Sequence, residues 1–274
     1  MFCPKNVYGL HSPSWMTTSG SWRLKRLANG MSPCSKFSGS KRWETDSAKE
    51  HSVLLALDTA SQFMSLALHD GRQIWYESTW RTANNHTVEL TPAIRQAFKQ
   101  TETVPANLKA VAVAQGPGSF TGLRIGLGVA KGLATALNIP LIAVPTPDII
   151  VAGVPPFHGP LVAVLQVGRG RVCAQRYRLN KDTWVSAAPA QITTWDDLIE
   201  GVEQETLFAG EIDDAGHNLL DATERPVRIS PGAYALRRAG FLAEIAWARI
   251  DADDTDDPAQ VTPIYLHQPG VPHP

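Results

Sequence analysis

The chain has 274 residues, 43% of them hydrophobic and 19% charged, a composition typical of a globular protein that can bury a core in one or two domains. Its formal net charge of -1 does not indicate an extended nucleic-acid-binding surface, and no apolar run reaches the ~18 residues of a membrane span. The three cysteines, Cys3, Cys34 and Cys173, lack the paired spacing of a zinc site and favour a reducing compartment.

The first 52 residues differ from the rest of the chain. Residues 1–50 contain eight basic and three acidic side chains, which leaves the remaining residues with a net charge of -6. The first 43 residues hold no acidic side chain and show neither strand nor helix periodicity, so residues 1–52 are predicted to be a disordered extension or the product of a misplaced start. A targeting segment is the alternative, because Arg and Ser without acids are typical of transit peptides.

Regular hydrophobic patterns begin at Val53. Strands are predicted at 53–57, 63–69, 72–80, 108–114 and 140–144. Asp70 and Gly71 form a typical hairpin turn between the second and third of these strands. Helices are predicted at 86–99, in spite of an internal proline, and from Ser119 to about Leu137.

A second set of elements repeats the first. Strands are predicted at 161–167, 171–179 and 206–209, and helices at 194–202 and 233–250. Five prolines between residues 145 and 160 mark a boundary, which divides the chain into domains at 53–152 and 153–274. Repetition of a strand hairpin with a helix indicates an internal duplication. Two such halves around a cleft predict an α/β fold of the actin-like ATPase type, with two ribonuclease-H-like subdomains and mixed sheets.

A glycine-rich loop, Gln-Gly-Pro-Gly-Ser-Phe-Thr-Gly at 115–122, joins a predicted strand to a predicted helix. Ser119 is a suitable N-cap, and exposed amides at a helix start suit an anion. The loop has neither the Gly-Lys-Ser/Thr end of a Walker loop nor the glycine spacing of the dinucleotide fingerprint. Asp58, Gly116, Gly118 and Ser119 are therefore candidate nucleotide or anion contacts, although a tight turn explains the same glycines equally well.

The helix after this loop contains glycines at 122, 126, 128 and 132, which cost roughly 4 kcal/mol relative to alanine. The small residues spaced four apart are Gly118, Gly122, Gly126, Ala130 and Ala134, and they form one smooth stripe. Close approach of a second backbone would offset the cost. That backbone belongs either to a helix of this chain or to a helix of another protein.

Five segments resemble the TsaB family, in the order in which the family has them. They are Leu-Ala-Leu-Asp-Thr-Ala at 55–60, His-Thr-Val-Glu-Leu-Thr-Pro at 86–92, Gly-Pro-Gly-Ser-Phe-Thr-Gly-Leu-Arg-Ile-Gly at 116–126, Ala-Lys-Gly-Leu-Ala at 130–134 and Pro-Ile-Tyr-Leu at 263–266. The glycine-rich segment is highly specific, and the resemblance extends over residues 53–268.

The resemblance implies an actin-like fold of two subdomains and a cytoplasmic role in placing threonylcarbamoyl on adenosine 37 of tRNA. It implies pairing with the related catalytic subunit TsaD, work alongside the small ATPase TsaE, and contact with tRNA through the complex. ATP or ADP at the complex interface is a further expectation, as is a homodimer when the partner is absent.

The resemblance also suggests where a partner would bind. In the resembled family, the first domain's two helices form a bundle with the same helices of the partner, and the helices at 86–99 and 119–137 match those positions. The interface candidates on them are His86, Glu89, Gly122, Gly126 and Ala130.

Two departures, one from the catalytic relatives and one from the usual pattern of the resembled family, predict an accessory subunit rather than an enzyme, with no catalytic residue, no metal and no intrinsic cofactor. Those relatives bind a metal through two histidines four residues apart, but Leu90 follows His86 at the second position, so His86 is predicted to be structural or on the surface. Gln166 stands where a carboxylate would hold magnesium in the second hairpin, which leaves Asp58 as a turn-capping residue.

Three alternatives remain at this point. They are an independent ATPase or sugar kinase of the same fold, a glycoprotease-like peptidase, and an interaction module outside tRNA modification.

Two charged groups are predicted to be solvated. The acidic run from Asp251 to Asp257 lacks the glycine and terminal Glu of a calcium loop and is predicted to be a linker. Arg237 and Arg238, on the last predicted helix, form a basic face for which contact with tRNA phosphates is the alternative.

Overall fold

The structure, a computed structural model, describes residues 52–83, 85–168 and 170–266, so the prediction for residues 1–52 lies almost wholly outside the described part. The first half comprises β1 (Val53–Asp58), β2 (Phe63–His69), β3 (Ile74–Arg81), α1 (His86–Gln100), β4 (Leu108–Gly116), α2 (Phe120–Leu137), β5 (Leu141–Pro145) and α3 (Thr146–Ala152). The remainder comprises β6 (Leu161–Gly168), β7 (Arg171–Asn180), β8 (Thr183–Ser186), β9 (Gln191–Thr193), α4 (Trp195–Glu200), β10 (Thr206–Gly210), α5 (Asp214–Ala222), β11 (Val227–Ile229), α6 (Gly232–Ala235) and α7 (Ala239–Asp251).

The two sheets repeat one topology. Their strand orders are β3-β2-β1-β4-β5 and β11-β10-β6-β7-β8, and the short β9 pairs with β7 beside the second sheet. In each sheet the hairpin strands are antiparallel, and the two strands on the other side of the first strand are parallel to it. The shared order and directions confirm the predicted internal duplication and the predicted α/β fold of the actin-like type.

Equivalent strands of the two sheets also end in the same way. Gly116 closes β4 and Gly210 closes β10, and both have a φ of 111°. L side chains rarely adopt this conformation, which is why glycine ends both strands. At Gly210 a Cβ would also collide with the backbone oxygen of Val164 on β6. Both halves therefore leave their parallel strands through the same backbone geometry.

The first sheet is covered on both faces, and β1 is buried over its whole length. On one face, the apolar residues of β1, β2 and β4 contact α1 and α2 through residues such as Leu90 and Leu127. On the other face, Leu54 and Ala56 lie in a core that includes Leu242 and Ala246 of α7. Burial on both faces explains why β1 is an unbroken apolar run rather than an alternating one.

The position of α7 corrects the predicted range of the second domain. Residues 153–274 were expected to form one subdomain, but α7 contacts β1, β2 and β5 of the first sheet. Val261, further along the chain, is buried in the core under α1 and α2. The first half is therefore built from two separated stretches of chain, and the sheet at 161–229 lies between them in sequence.

The proline-rich boundary between the halves is partly helical. The sequence predicts a domain boundary in this segment, and the structure shows that α3 begins within it at Thr146, with Pro147 at one of its first two positions. Proline is tolerated there because the first amides of a helix have no intrahelical acceptor. Ile149 contacts the core under α7 and Ile150 contacts the core of the second sheet, so α3 packs against both halves.

The small-residue stripe of α2 faces inward. A Cβ at Gly122 would overlap the backbone oxygen of Thr59, and one at Gly126 would overlap the Thr59 hydroxyl. That hydroxyl donates a hydrogen bond of 2.8 Å to the carbonyl of Gly122, so the helix lies directly on the turn after β1. Ala130 continues the stripe into the core. The approaching backbone is thus the chain's own, and it is a strand end rather than a helix.

The other two glycines of α2 lie on the opposite face. A Cβ at Gly128 or Gly132 would meet no atom within 4 Å. They belong to a second row of residues spaced four apart along the helix, all of which are exposed. The row comprises Phe120, Arg124, Gly128, Gly132 and Ala136. No contact within the described chain offsets the helix cost of these two glycines, which is about 2 kcal/mol in total.

The two kinds of glycine predict opposite effects of the same substitution. Gly122→Ala should lower the free energy of unfolding by about 1–3 kcal/mol, because the backbone of Thr59 has to move. Gly132→Ala should raise it by about 0.5–1 kcal/mol, because the methyl group points into open space and alanine favours the helix. Denaturant titrations of both variants measure the two changes. Equal effects would contradict the packing of α2 on Thr59.

Candidate functional site

A cleft of about 990 Å³ lies between the two halves. One wall comes from the turn after β1 and the start of α2, with Ser61, Ser119 and Phe120. The other wall comes from the end of β10 and the segment after it, with Glu211 and Ile212. Arg237 lines the cleft between them. The cleft therefore lies where strand ends of both sheets meet, which is the usual place for a ligand in an open α/β sheet.

Arg237 reaches this place because the last predicted helix is broken. A single helix was predicted over 233–250, but α6 ends at Ala235 and α7 begins only at Ala239. Leu236 and Arg238 between them have extended backbone, with ψ values of 121° and 133°. Arg237 is 3% exposed, so the prediction of a solvated arginine at this position is wrong.

The guanidinium of Arg237 bonds to both halves. Its Nε donates to Asp58 Oδ2 at 2.8 Å and one terminal nitrogen donates to Ser61 Oγ at 2.6 Å. The other terminal nitrogen donates to Glu211 Oε1 at 2.5 Å. Asp58 ends β1 of the first sheet and Ser61 follows it, whereas Glu211 follows β10 of the second. One side chain therefore pairs with carboxylates from the two sides of the cleft.

Glu211 is held by the strand beside it. Its second carboxylate oxygen accepts a 3.2 Å hydrogen bond from the backbone amide of Gln166, and the Gln166 side chain donates to the Glu211 carbonyl at 3.0 Å. Gln166 is the residue predicted to replace a magnesium-binding acid. In the structure, its side-chain amide donates a hydrogen bond that fixes Glu211. An aspartate could not make this bond, because an ionised carboxylate has no hydrogen to donate.

These contacts set the charges at the cleft floor. Burial alone would raise the pKa of Glu211, but the charge of Arg237 and hydrogen bonds from Ser61, Arg237 and Gln166 outweigh it and lower that pKa. Burial would lower the pKa of Arg237, but the charges of Asp58 and Glu211 raise it instead. Glu211 is thus ionised and Arg237 protonated at neutral pH.

The four candidate nucleotide contacts do not form one open site. Asp58 is fully buried, and its oxygens accept hydrogen bonds from Arg237 and from the backbone amide of Ala60. It caps the turn, as the alternative interpretation held, and also pairs with arginine. Gly116 lies under the backbone of Ile264 rather than at the cleft.

Gly118 and Ser119 do line the cleft, but their polar groups are engaged within the chain. The Ser119 amide donates to the Ala60 carbonyl at 2.7 Å, and the Ser119 hydroxyl caps α2 by accepting from Gly122. A Cβ at Gly118 would overlap the Ala60 backbone, so this glycine serves the tight turn.

Most of the predicted interface residues are internal. His86 is 3% exposed, and its Nε2 is 2.9 Å from the carbonyl oxygen of Ser61. Gly122, Gly126 and Ala130 are buried under the turn after β1 and in the core, so in this conformation they are not available to a partner. Glu89 is half-buried and accepts a 2.8 Å hydrogen bond from the indole of Trp80. The prediction of these buried residues as a partner surface is therefore wrong.

An aromatic and cationic cluster marks the exposed start of α2. Phe120, which is 54% exposed, stacks on Tyr265 with ring centroids 5.2 Å apart. The guanidinium of Arg124 lies 3.7 Å from the Phe120 centroid and donates to the Tyr265 hydroxyl at 2.9 Å. Tyr265 lies in the segment 261–266, in which the Ile264 amide donates to the Gln115 carbonyl. This segment thus holds Phe120 and Arg124 at the edge of the cleft.

Sequence reasoning missed the role of Arg237 and Glu211. No local pattern announces them, because Arg237 is 26 residues from Glu211 and 179 from Asp58. The sequence does contain one indirect indication. Asp58 ends a buried strand and has no second carboxylate with which to share a metal, and a buried acid needs a cation.

The described part of the chain brings no three His, Cys, Asp or Glu side chains together as a metal cluster. None of the helices in that part combines the length and hydropathy of a membrane span.

Comparisons with known proteins agree on one family. The family model for "TsaD: tRNA N6-adenosine threonylcarbamoyltransferase" matches residues 80–271. The tRNA threonylcarbamoyladenosine biosynthesis protein TsaB of Bacillus subtilis is 29% identical over 161 residues, which are 58% of this chain and 70% of the relative. TsaB of Buchnera aphidicola subsp. Baizongia pistaciae is 30% identical over 155 residues, or 55% and 69% of the two chains. YeaZ from Pseudomonas aeruginosa, 24% identical, has a TM-score of 0.64 over 78% of this chain and 100% of its own, which shows a shared fold.

The lowered pKa of Glu211 predicts acid sensitivity. A carboxyl whose pKa is lowered by folding contributes stability that is present above its ordinary value of 4.5 and is lost as the pH falls through the lowered value. Stability measured by denaturant titration should therefore fall below about pH 4.5, and Glu211→Gln should make that fall shallower. Asp254→Asn is the control, because that carboxyl is exposed and its ion pair with Arg249 is screened by water. An unchanged slope in Glu211→Gln would contradict the assignment.

Proposed function

The chain belongs to the TsaB family, and from that premise we propose that it serves tRNA threonylcarbamoyladenosine biosynthesis as a non-catalytic, activating subunit that pairs with a TsaD-like catalytic subunit. The observation that carries the non-catalytic part is the pairing of Arg237 with Asp58 and Glu211. Acids at this position would have to hold a metal or orient water in order to support phosphoryl transfer. Here both acids already pair with a guanidinium from the same chain.

The partner surface is the outward face of α1 and α2. Val88 of α1 is 66% exposed and Phe120 of α2 is 54% exposed, although both are large and apolar. A Cβ at Gly128 or Gly132 would meet no atom of the described residues within 4 Å. A partner helix that approaches this smooth face would offset their cost in helix stability through close packing. This face replaces the buried stripe as the proposed interface.

The other members of the complex follow from the same proposal. A TsaE-like ATPase acts alongside the pair, and tRNA is bound through the assembled complex in the cytoplasm. ATP or ADP is expected at the complex interface rather than at the floor of this chain's cleft. Without its partner, the same face of α1 and α2 can join two copies of this chain in a symmetric dimer.

A leucine at the exposed glycines tests the interface. Gly128→Leu and Gly132→Leu should fold with a melting temperature at or above that of the wild type, because leucine favours the helix. They should lose at least tenfold in affinity for the TsaD-like subunit, because the side chain holds the helices apart. Gly232→Leu is the matched control, since a Cβ at Gly232 also meets nothing within 4 Å but lies outside this face. Thermal melts and calorimetric titrations give both quantities. Wild-type affinity in both helix variants would exclude this face as the interface.

Reconstitution tests the proposed role itself. The chain alone should form no threonylcarbamoyladenosine and should hydrolyse no ATP, whereas it should raise product formation by TsaD-like and TsaE-like subunits of the same host. Mass spectrometry of digested tRNA measures the product. Steady ATP turnover by the isolated chain that disappears in Asp58→Ala would favour the kinase-like alternative instead.

A further inference from the structure

We propose that Arg237 is an internal cation that holds the two halves of the chain at one cleft opening, so that the cleft widens when its bridge between Asp58 and Glu211 is removed. This inference concerns the chain by itself and does not depend on the proposed partnership. The guanidinium of Arg237 takes the position between Asp58 and Glu211 that a bound cation could otherwise occupy.

The segment that carries Arg237 is fixed to the first half. The Ala239 amide donates to Ser65 Oγ on β2 at 2.8 Å, and the Gly240 amide donates to Glu77 Oε1 on β3 at 2.7 Å. Arg238 forms an ion pair with the same Glu77. The backbone on one side of Arg237 therefore moves with the first sheet. Its bonds to Asp58 and Ser61 lie within that half as well.

Glu211 is the second-half member of the bridge. It follows β10, and its own amide donates to the Val164 carbonyl on β6 at 2.8 Å. The Gln166 amide holds its carboxylate from the same strand. The ion pair between Arg237 and Glu211 thus joins two groups that are each fixed to a different sheet.

An apolar contact joins the halves elsewhere. Helix α3 contacts α7 and β4 of the first half as well as β6 and β10 of the second. The hydroxyl of Tyr177 on β7 donates to Asp148 of α3 at 2.6 Å, which ties the helix to the second sheet. Apolar contacts of this kind tolerate small sliding motions, whereas a bridged guanidinium has a narrow range of geometry. Rotation about α3 is therefore the motion that the Arg237 bridge prevents.

The charges give the direction of the change. Two carboxylates face one guanidinium, and all three are largely buried. Without the guanidinium, Asp58 and Glu211 would repel each other across the cleft in a medium that screens poorly. The halves should then move apart until water reaches both acids.

The distance across the cleft mouth tests the proposal. Spin labels are attached to the full chain at Thr121→Cys, beside Phe120, and at His217→Cys, on the opposite wall of the cleft. Cys3 and Cys34 are replaced by serine so that they take up no label. Cys173 is kept because it is buried. Pulsed electron resonance then gives the distance distribution between the labels. Wild-type protein should give a single narrow distribution, and Glu211→Gln should give a broader one because the ionic bridge between the halves is lost. Arg237→Ala should give a broader distribution with a longer mean distance, because Asp58 and Glu211 then repel each other.

Asp254→Asn is the matched control. It removes an ion pair with Arg249 of α7, which lies wholly within the first half, and should leave the distance unchanged. Low millimolar guanidinium should return the Arg237→Ala distribution toward wild type, whereas methylammonium at the same ionic strength should not. Because Arg237→Ala leaves two unpaired acids and can fail to fold, Glu211→Gln carries the test by itself in that case. A folded Glu211→Gln protein with the wild-type distribution would overturn the proposal.

Discussion

Burial of the Arg237 guanidinium between two carboxylates imposes the strictest requirement in this structure. Removal of one partner of a buried ion pair typically costs about 3–5 kcal/mol, a large part of the stability of an ordinary domain. The surrounding groups are arranged accordingly: Ser61 and Gln166 complete the hydrogen bonds of Arg237 and Glu211, and the helix breaks so that the arginine can turn inward. The fold at the cleft floor is thus arranged around a charge supplied by the protein itself.

The two halves show how a duplicated unit has diverged at its strand ends while its sheets stayed alike. Strand order, strand direction and the left-handed glycines at 116 and 210 are shared. The residues near the end of the first strand of each sheet differ, since Asp58 accepts from arginine whereas Gln166 donates to a glutamate backbone. An acid in place of Gln166 would add a third carboxylate beside the one guanidinium, which already pairs with two. The divergence and the arginine are therefore parts of one arrangement.

The sequence predicted most of the sheets and the two long helices of the first half, because alternation and helical periodicity are local properties. It did not predict the break at Leu236 to Arg238, since this stretch fits the apolar pattern of α7 and its reason for breaking lies on strands far away in sequence. The small-residue stripes of α2 were ambiguous for a different reason. Gly122 and Gly126 lie on the buried face, and Gly128 and Gly132 lie on the exposed face of the same helix. Each pair is spaced four residues apart, and glycine has no side chain whose hydrophobicity would distinguish a buried face from an exposed one.

The candidate site was predictable in its parts but not in its assembly. Asp58, Gly118 and Ser119 were identified from the strand end and the glycine loop, and they do lie around the cleft. What they contact depends on Arg237 and Glu211, which lie far away along the chain. Pairings over such separations leave no periodic trace in one sequence.

The return of α7 to the first sheet has a consequence for synthesis on the ribosome. The strands at 53–145 emerge early, and α1 and α2 can cover one face of their sheet at once. The other face stays exposed to water until residues 239–251 follow, by which time the whole second sheet has already left the ribosome. A nascent chain therefore presents an uncovered apolar surface for most of its elongation, which is the condition under which nascent-chain chaperones bind. Completion of the first half is thus one of the last folding events, in spite of its place at the start of the described residues.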